Sequence, residues 1–349
     1  MMSSELHVGI VSCDASPHIG GIGRHVGLLA EGLKRRGIRV SVFSRFDRPL
    51  AFALGRNAAF SIGLQRALKH WICSTNVNLL HVHAGPGGVF LPTSPLPMIV
   101  TANHTYAAQS RLPGQRWKSL FIPWERATYR AGSHITCISP DTADSVVQQY
   151  GIDPQRVSAI PCGFDITLWQ KASGQIRTGC VYVGRADNRK GFDLLMRAWR
   201  IVRSRIPDAH LTVVGAAGDD RDGIRFLGRV SDEELRACVA GARVAIVPSR
   251  LEGFGYAAAE AIAAGTPVVA TDVPGLRFVV AHDVSGRLVK TDPSSIADGV
   301  ISLLRDDERW RRLSIGCAHE RGRFDIEIEL DAMLRLYDEV YSRSTCATR

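Results

Sequence analysis

The hydrophobic residues of the chain follow two alternating patterns. Short apolar runs rich in β-branched residues are typical of buried parallel strands, and the longer stretches between them have the period of amphipathic helices. In the first half this predicts strands at residues 6–11, 39–43, 79–83, 98–101, 135–139 and 157–161, and helices at residues 24–36 and 140–150. Gly37 and Gly151 follow these two helices, at the position where glycine ends a helix.

The second half repeats the same alternation. The pattern predicts strands at residues 180–183, 211–214, 244–247 and 268–271, and helices at residues 192–206, 231–240 and 256–264. Ser231 with Glu234 three positions later is the capping box that begins a helix. The polar segment 166–178 is weakly patterned, so we interpret it as a linker between the two halves.

Alternating strands and helices predict an α/β fold with two Rossmann-like domains that face a central cleft. The expected boundaries are residues 1–165 for an N-terminal domain and residues 166–325 for a C-terminal domain. Residues 326–349 carry a last helical stretch, at about 326–341, which we expect to pack back on the N-terminal domain. A length of 349 residues suits two domains of ordinary size.

The composition is that of an α/β protein, with 45% hydrophobic residues, 22% charged residues and 33 glycines. No apolar run approaches the ~20 residues of a membrane-spanning helix, and the first residues lack a signal-peptide pattern. A cytoplasmic location is therefore expected. The eight cysteines form no C-x-x-C pair, so the sequence indicates neither a zinc cage nor a redox dithiol.

The net charge of +9 is unevenly distributed, because residues 1–165 carry 16 Lys and Arg against 9 Asp and Glu. A basic face of this kind suits anionic lipid, nucleic acid or a phosphorylated substrate. The charge by itself does not choose among these partners.

The most specific motif is at residues 252–260, which read EGFGYAAAE. Glu252 and Glu260 bracket a turn formed by Gly253, Phe254 and Gly255, where glycines allow a ligand to approach the backbone and a helix N-terminus offers N–H groups. Two solvated glutamates at an ordinary strand-to-helix turn are the alternative interpretation. The wider run, residues 248–270, resembles the E-x7-E motif of the retaining glycosyltransferases of family 4, which have the GT-B fold.

The resemblance implies roles for these residues. Glu252 corresponds to the glutamate at the donor sugar and the reaction centre, and Glu260 to the one that hydrogen-bonds the ribose of the nucleotide. The stretch that ends at Val230 resembles the segment whose backbone contacts the nucleobase. The resemblance spans nearly the whole chain and is strongest over residues 180–290.

Residues 183–191 read VGRADNRKG and place cations between a strand and a helix. Positioned Arg and Lys side chains stabilise the negative charge that develops on a diphosphate leaving group. The alternative is a solvated charged loop. The resemblance implies that Arg185 and Lys190 hold the donor pyrophosphate, whereas the neighbouring Arg189 has no assigned role.

Residues 20–23 read GGIG, which also matches a degenerate dinucleotide-binding fingerprint. An oxidoreductase would need an acidic residue at the end of the second strand, and no acid occurs there before Asp47. The resemblance implies instead that Gly20 and Gly21 form a loop that contacts donor phosphate or acceptor.

Three histidines follow or end predicted strands. The resemblance implies that His104 is an active-site residue near the donor sugar, although an isolated histidine is more often structural. His81 and His83 have the spacing of a metal-binding pair, but no carboxylate or cysteine accompanies them in the sequence. Structural or cleft-lining roles are therefore expected for both.

The resemblance implies a retaining hexosyltransferase that uses a UDP- or GDP-sugar, and we predict front-face displacement through an oxocarbenium-like state. We expect the cations Arg185 and Lys190 to replace a metal ion and no cofactor to be needed. A non-catalytic sugar-nucleotide-binding protein is an alternative, but Glu252 and His104 argue against it. A nucleic-acid-binding module would not explain the residues predicted to bind diphosphate.

The acceptor is the least defined partner. Trp117, Leu120, Phe121 and Trp124 form a helical apolar stripe beside basic residues, which suits either an interfacial helix or a core-packed one, and we favour the core. Family members act in glycolipid, lipopolysaccharide and polysaccharide biosynthesis. We therefore expect a glycan or lipid-linked acceptor, with peripheral contact to anionic lipid at the inner face of the cytoplasmic membrane. A small soluble acceptor is the alternative.

Overall fold

The computed structural model describes residues 5–15, 20–45, 56–170 and 177–347. The contacts between residues divide the chain into two compact units. The first unit is Met1–Phe164 together with Ile326–Arg349, and the second unit is Asp165–Asp325.

The first unit contains one six-stranded sheet in which all strands are parallel and the order is β2-β1-β3-β4-β5-β6. Its strands are β1 His7–Val11, β2 Arg39–Phe43, β3 Leu79–Ala84, β4 Met98–Ala102, β5 His134–Cys137 and β6 Val157–Ala159. Its first helices are α1 Gly20–Arg35, α2 Arg56–Thr75, α3 Tyr106–Ser110, α4 Ile122–Ala131 and α5 Pro140–Tyr150. Two 3₁₀ helices occur at Arg116–Phe121 and Pro154–Arg156.

The second unit contains another parallel six-stranded sheet, of order β12-β11-β10-β7-β8-β9. After helix α6 Thr167–Gln170, its strands are β7 Thr178–Val183, β8 Leu211–Val214, β9 Ile224–Gly228, β10 Ala242–Val247, β11 Val268–Thr271 and β12 Gly286–Val289. The helices are α7 Phe192–Arg205, α8 Asp232–Gly241, α9 Tyr256–Ala263, α10 Leu276–Val279, α11 Pro293–Arg305 and α12 Asp307–Glu320. A 3₁₀ helix at Arg321–Phe324 ends the unit.

Central strands of both sheets are buried on both faces, which is the reason that they appear in the sequence as continuous apolar runs. Every residue of β1, β3 and β4 is buried. In the second unit, β11 is buried throughout and β10 at all but one position. The helices cover the faces of each sheet, so the carboxyl ends of the strands are the natural place for a ligand.

The last helix, α13 Ile326–Ala347, belongs to the first unit and packs against α1. Leu330 fills the space beside Gly32, where a Cβ atom would lie 2.7 Å from the Leu330 Cδ1 atom. His25 of α1 also forms a buried ion pair with Glu329 of α13. The helix is six residues longer than the stretch predicted from the sequence.

Several predicted boundaries differ from the structure. Helix α1 begins at Gly20 and not at Arg24, so the prediction that residues 20–23 precede the helix was wrong. The conformational reason is the positive φ of Gly20, which turns the chain directly into the helix. Helices α2, α11 and α12 and strand β12 were not predicted. Asp47 and residues 171–176 of the expected linker lie outside the described residues.

The apolar stripe at residues 117–124 does not pack in the core. The 3₁₀ helix Arg116–Phe121 runs directly into α4, because Pro123 is favourable in the first turn of that helix. Trp117, Leu120 and Trp124 are 55%, 68% and 56% exposed. The core-packed interpretation was therefore wrong. Within the described part of the chain, every helix is too short or too polar to pass through a bilayer.

Candidate active site

The second sheet has a topological switch point between β7 and β10. The chain passes from β7 outward to β8 and β9, and then returns to place β10, β11 and β12 on the other side. The segments that follow β7 and β10 therefore diverge at the same edge of the sheet, which is where open parallel sheets bind their ligands. These segments are residues 184–191 and residues 248–255.

Glu252 lies in the segment after β10 and is surrounded by cations from the segment after β7. Its Oε1 atom lies 2.5 Å from Lys190 Nζ, and its Oε2 atom lies 3.4 Å from Arg189 Nη1. The Ser249 hydroxyl also donates to Oε1, at 2.9 Å. The structure thus brings together Glu252 and Lys190, both predicted site residues, and adds Arg189, for which the sequence suggested no role.

The carboxyl group of Glu252 is only 7% exposed but remains charged. Burial by itself raises its pKa, whereas the charges of Lys190 and Arg189 lower it by more, and the resulting pKa is about 2. At neutral pH the cluster therefore contains one buried carboxylate and two cations. Its excess positive charge suits an anionic ligand.

Close backbone packing allows the two segments to approach each other. Gly191 has a φ of +67°, and a Cβ atom at this position would lie 1.8 Å from the carbonyl oxygen of Pro248. Gly255 precedes α9 with a φ of +102°. Any other residue at Gly191 would push Lys190 and the segment after β10 apart.

A second ion pair joins the segment after β10 to the first turn of α7 and was not expected from the sequence. The guanidinium of Arg250 donates to both carboxylate oxygens of Asp193, at 2.6 and 2.7 Å. The Arg250 backbone N–H donates to the carbonyl oxygen of Arg189 at 2.8 Å. Hydrogen bonds from Arg250 lower the pKa of Asp193 to about 2. No sequence motif indicates this pair, because its members are 57 positions apart.

The other predicted residues of the second unit occupy different positions around this edge. Arg185 is 73% exposed and pairs with Asp187, so it does not contact the Glu252 cluster. Glu260 is buried on α9, and Gly253 and Phe254 lie in the buried turn that leads to this helix. Val230 is half-buried and directly precedes Ser231, whose capping box with Glu234 begins α8 as predicted.

Gly20, Gly21 and His104 belong to the first unit. The glycines form the first turn of α1, and His104 follows β4. In the sheet order β1, β3 and β4 are neighbours, so the segments that follow them meet at one edge. The turn after β3 fits closely here, because a Cβ atom at Gly85 would lie 2.4 Å from the His104 carbonyl oxygen. The run GPGG at residues 85–88 was the available sequence signal for this turn.

His81 and His83 are completely buried in the first unit. His81 hydrogen-bonds the Tyr337 hydroxyl through Nδ1 and the Thr101 hydroxyl through Nε2, both at 2.6 Å. Burial and the charge of His25 lower the pKa of His81 to about 3, so this imidazole is neutral. These contacts join β3 to α13 and agree with a structural role.

Two family models match the chain. The model described as Glycosyltransferase Family 4 matches residues 19–168, and the model described as Glycosyl transferases group 1 matches residues 177–306. The chain is also similar to the phosphatidyl-myo-inositol mannosyltransferase of Mycobacterium tuberculosis. The two are 29% identical in an alignment of 365 positions, which covers 92% of this chain and 93% of that protein.

Solved structures agree with this result. Sucrose-phosphate synthase from Thermosynechococcus elongatus superposes with a TM-score of 0.80 at 22% identity, over 97% of this chain and all of that one. HepE of Anabaena in complex with UDP-glucose gives a TM-score of 0.70 at 16% identity, over 96% of this chain and all of that one. The predicted family and fold class are confirmed: the chain belongs to the family 4 glycosyltransferases and has the GT-B fold of two Rossmann-like domains.

Proposed function

We propose that this glycosyltransferase moves a hexose from a UDP- or GDP-sugar to a hydroxyl acceptor with retention of anomeric configuration. The observation that carries the proposal is the buried Glu252 carboxylate, held by Lys190 and Arg189 at the switch point of the second sheet. A cationic cluster at this position suits a nucleoside diphosphate. The complex of the neighbouring structure HepE with UDP-glucose supports a nucleotide-sugar donor.

Each predicted site residue has a role in this proposal. Lys190 and Arg185 bind the diphosphate, together with backbone N–H groups of the turn Gly253, Phe254 and Gly255. Glu260 binds the ribose, and the backbone near Val230 contacts the base. In the first unit, His104 contacts the donor sugar, and Gly20 and Gly21 allow phosphate or acceptor to approach the start of α1.

The reaction is a front-face displacement. The bond from the anomeric carbon to the diphosphate oxygen breaks, the acceptor oxygen forms its bond on the same face, and the acceptor proton passes to the departing phosphate. Positive charge develops on the sugar ring, and the carboxylate of Glu252 stabilises it. Negative charge develops on the diphosphate, where Lys190 and Arg185 supply the stabilisation that a metal ion would otherwise give. The proposal therefore requires neither a metal nor a cofactor.

The test is a screen of UDP- and GDP-sugars for thermal stabilisation of the full chain, followed by transfer assays with the donors that bind. NMR of the product gives the anomeric configuration, which we expect to match that of the donor. Added EDTA should leave the rate unchanged. A product of inverted configuration, or stabilisation by none of these donors, would contradict the proposal.

We further propose that the acceptor is lipid-linked and that the protein works at the inner face of the cytoplasmic membrane. The name of the mycobacterial relative, a phosphatidyl-myo-inositol mannosyltransferase, supports such an acceptor. The first unit supports membrane contact through a surface that we call the aromatic patch, defined as Trp117, Leu120 and Trp124, which are all exposed. Large apolar side chains of this kind insert into the boundary between headgroups and acyl chains.

The charge around the aromatic patch favours an anionic membrane. Residues 111–130 contain five cations, Arg111, Arg116, Lys118, Arg126 and Arg130. The single acid of this segment, Glu125, is completely buried and hydrogen-bonded to Tyr106, Tyr129 and Tyr150. The surface of the segment is therefore apolar and basic, and each basic residue near an anionic bilayer contributes about 1 kcal/mol.

Co-sedimentation with vesicles tests this contact. We expect the full chain to bind vesicles of phosphatidylcholine mixed with phosphatidylserine at low salt, and to bind less when Leu120 and Trp124 are replaced by Ser. Replacing Ile315 of α12, which is 57% exposed in the second unit, by Ser is the matched control. Equal binding by the patch variant, or none by the wild type, would contradict membrane contact. Efficient transfer to a soluble sugar acceptor would favour the alternative function.

A further inference from the structure

His104 is linked to a buried glutamine that the proposed reaction does not use. Gln109 lies in α3 and is 5% exposed. Its side-chain Nε2 atom is 2.5 Å from His104 Nε2, and its Oε1 atom is 2.5 Å from Lys118 Nζ. The three side chains form a chain of hydrogen bonds from the 3₁₀ helix Arg116–Phe121 to the segment after β4.

The chemistry of Lys118 fixes the direction of these hydrogen bonds. An ammonium group has donors and no acceptor, so it must face the carbonyl oxygen of the Gln109 amide. The NH₂ group of that amide then faces His104 and donates to its Nε2 atom. A nitrogen that accepts a hydrogen bond carries no proton, so the imidazole is neutral and its proton is on Nδ1.

We propose that Gln109 is a positioning residue that holds His104 as the neutral Nδ1–H tautomer. The inference rests on the proposed function, in which His104 contacts the donor sugar. In an imidazolium, the Nε2–H group would face the NH₂ group of the Gln109 amide. Two donors that face each other cannot form a hydrogen bond, so this contact disfavours the protonated ring. It would also place a positive charge beside the sugar ring while the ring becomes positive, and so would slow the transfer. Lys118 acts one step further away, because it fixes the orientation of the amide.

Glu125 and Tyr150 are titratable groups that lie near His104, in addition to Lys118. Glu125 of α4 accepts a hydrogen bond from the Tyr106 backbone N–H at 2.9 Å. Its carboxyl group and the His104 carbonyl oxygen both lie next to Gly85. Burial raises the pKa of Glu125 to about 7, against the lowering effect of its hydrogen bonds. A pH profile therefore needs a second measurement that reports on His104 directly.

NMR gives that measurement. Long-range ¹H–¹⁵N correlation of the ring nitrogens of the full chain reads the tautomer of His104, with the signal assigned by comparison with His104→Gln. We expect the Nδ1–H tautomer in the wild type at pH 7. In Gln109→Glu, a side chain of nearly the same shape that accepts instead of donating, we expect protonation of Nε2. Gln155→Glu, at an exposed site of the same unit, should leave the signal unchanged.

The Nε2–H tautomer in the wild type, or an unchanged tautomer in Gln109→Glu, would overturn the proposal. This result does not depend on activity, so it is distinct from failure of the proposed function, which would appear as absence of transfer by the wild type. A folded Gln109→Glu is required, and its thermal melt gives that control. Gln109→Leu, which places an apolar side chain at this buried position, is the second variant.

Kinetics complete the test. In Gln109→Leu we expect kcat at pH 6.5 to fall about tenfold and to recover toward the wild-type value at pH 8.5, because the higher pH restores the neutral imidazole. A residue that only maintains the fold would lower kcat equally at both pH values, and this outcome would also overturn the proposal. Lys118→Met should give a smaller loss, and the double variant should be no worse than Gln109→Leu, since both act through one amide.

Discussion

Lys190 and Glu252 neutralise each other across the two segments at the switch point of the second sheet, with 2.5 Å between Nζ and Oε1. A diphosphate that binds Lys190 must therefore compete with the glutamate for the ammonium group. The pair sets the charge of the site, and substitutions of its two members should separate nucleotide binding from transfer.

Glu252→Gln keeps the shape of the side chain and removes its charge. We expect UDP or GDP to bind roughly tenfold more tightly, by about 1.4 kcal/mol, because Lys190 and Arg189 no longer share their charge with a carboxylate. We expect kcat for transfer to fall by about 10²-fold or more, because the developing positive charge of the sugar loses its partner. Calorimetry and transfer assays measure the two effects. Glu233→Gln, at an exposed site on α8, is the control.

Lys190→Ala should lower kcat by about 10²- to 10³-fold, because one cation is removed from the departing diphosphate. Arg189 and Ser249 still contact Glu252, so we expect the variant to fold. The thermal melt checks the fold, and Lys290→Ala, an exposed lysine of the same unit, is the matched control. Turnover near the wild-type value would remove Lys190 from the site.

Gly191→Ala should destabilise the second unit more than the same change at Gly228. Both glycines have a φ above +60°, which costs an alanine about 1–2 kcal/mol. At Gly228 nothing lies within 4 Å of the added Cβ atom, whereas at Gly191 it meets the carbonyl oxygen of Pro248. The difference in the free energy of unfolding, measured with urea, gives the effect of the close approach. If both variants lose the same free energy of unfolding, the close approach of Gly191 to Pro248 does not contribute to stability.

Acidification should weaken the first unit through its buried histidines. The pKa of His81 is about 3 in the folded protein and about 6.5 in an unfolded chain. Between these values the unfolded state binds a proton that the folded state does not, so stability falls by about 1.4 kcal/mol per pH unit as the pH decreases. His83 shifts in the same direction, because of burial first and then the charges of His81 and His25.

His25 has the opposite effect on stability, but at pH values above the range in which His81 acts. Burial lowers its pKa, but the interactions with Cys162 and Glu329 together raise this pKa well above 6.5. The stabilising effect of His25 is therefore complete below about 6.5 and is lost only at higher pH. Urea unfolding of the full chain between pH 6 and pH 5 tests the prediction. His81→Gln should reduce the dependence on pH by about 1.4 kcal/mol per unit, whereas His319→Gln, at an exposed site, should not. An unchanged slope in His81→Gln would contradict the buried neutral imidazole.

Local signals explain which elements could be predicted from the sequence. Helix α5 was predicted to the residue, because Pro140 is favourable in a first turn and Gly151 adopts a φ of +65° after the last one. The start of α8 followed from the capping box of Ser231 and Glu234. The start of α1 was wrong because glycines were taken as a sign of a turn. Periodicity did not resolve α2, α11 and α12, although these helices cover the sheets as the fold requires.

The contacts within the site depend on residues that are distant in the sequence. The E-x7-E motif identified Glu252, but its pairing with Arg189 and the tie between Arg250 and Asp193 arise only when β7 and β10 become neighbours. In the same way, the exposure of Trp124 depends on how α4 lies on its sheet. A helical stripe of apolar residues has the same sequence pattern whether its face is buried or exposed.

We propose that Lys190 and Glu260 of the second unit hold the diphosphate and the ribose of a nucleotide sugar. A crystal structure of the full chain soaked with the donor that stabilises it most is the direct measurement. We predict a phosphate oxygen within ~3 Å of Lys190 Nζ and a ribose hydroxyl at a similar distance from the Glu260 carboxylate. A nucleotide bound elsewhere, with Lys190 still paired to Glu252, would contradict the claim.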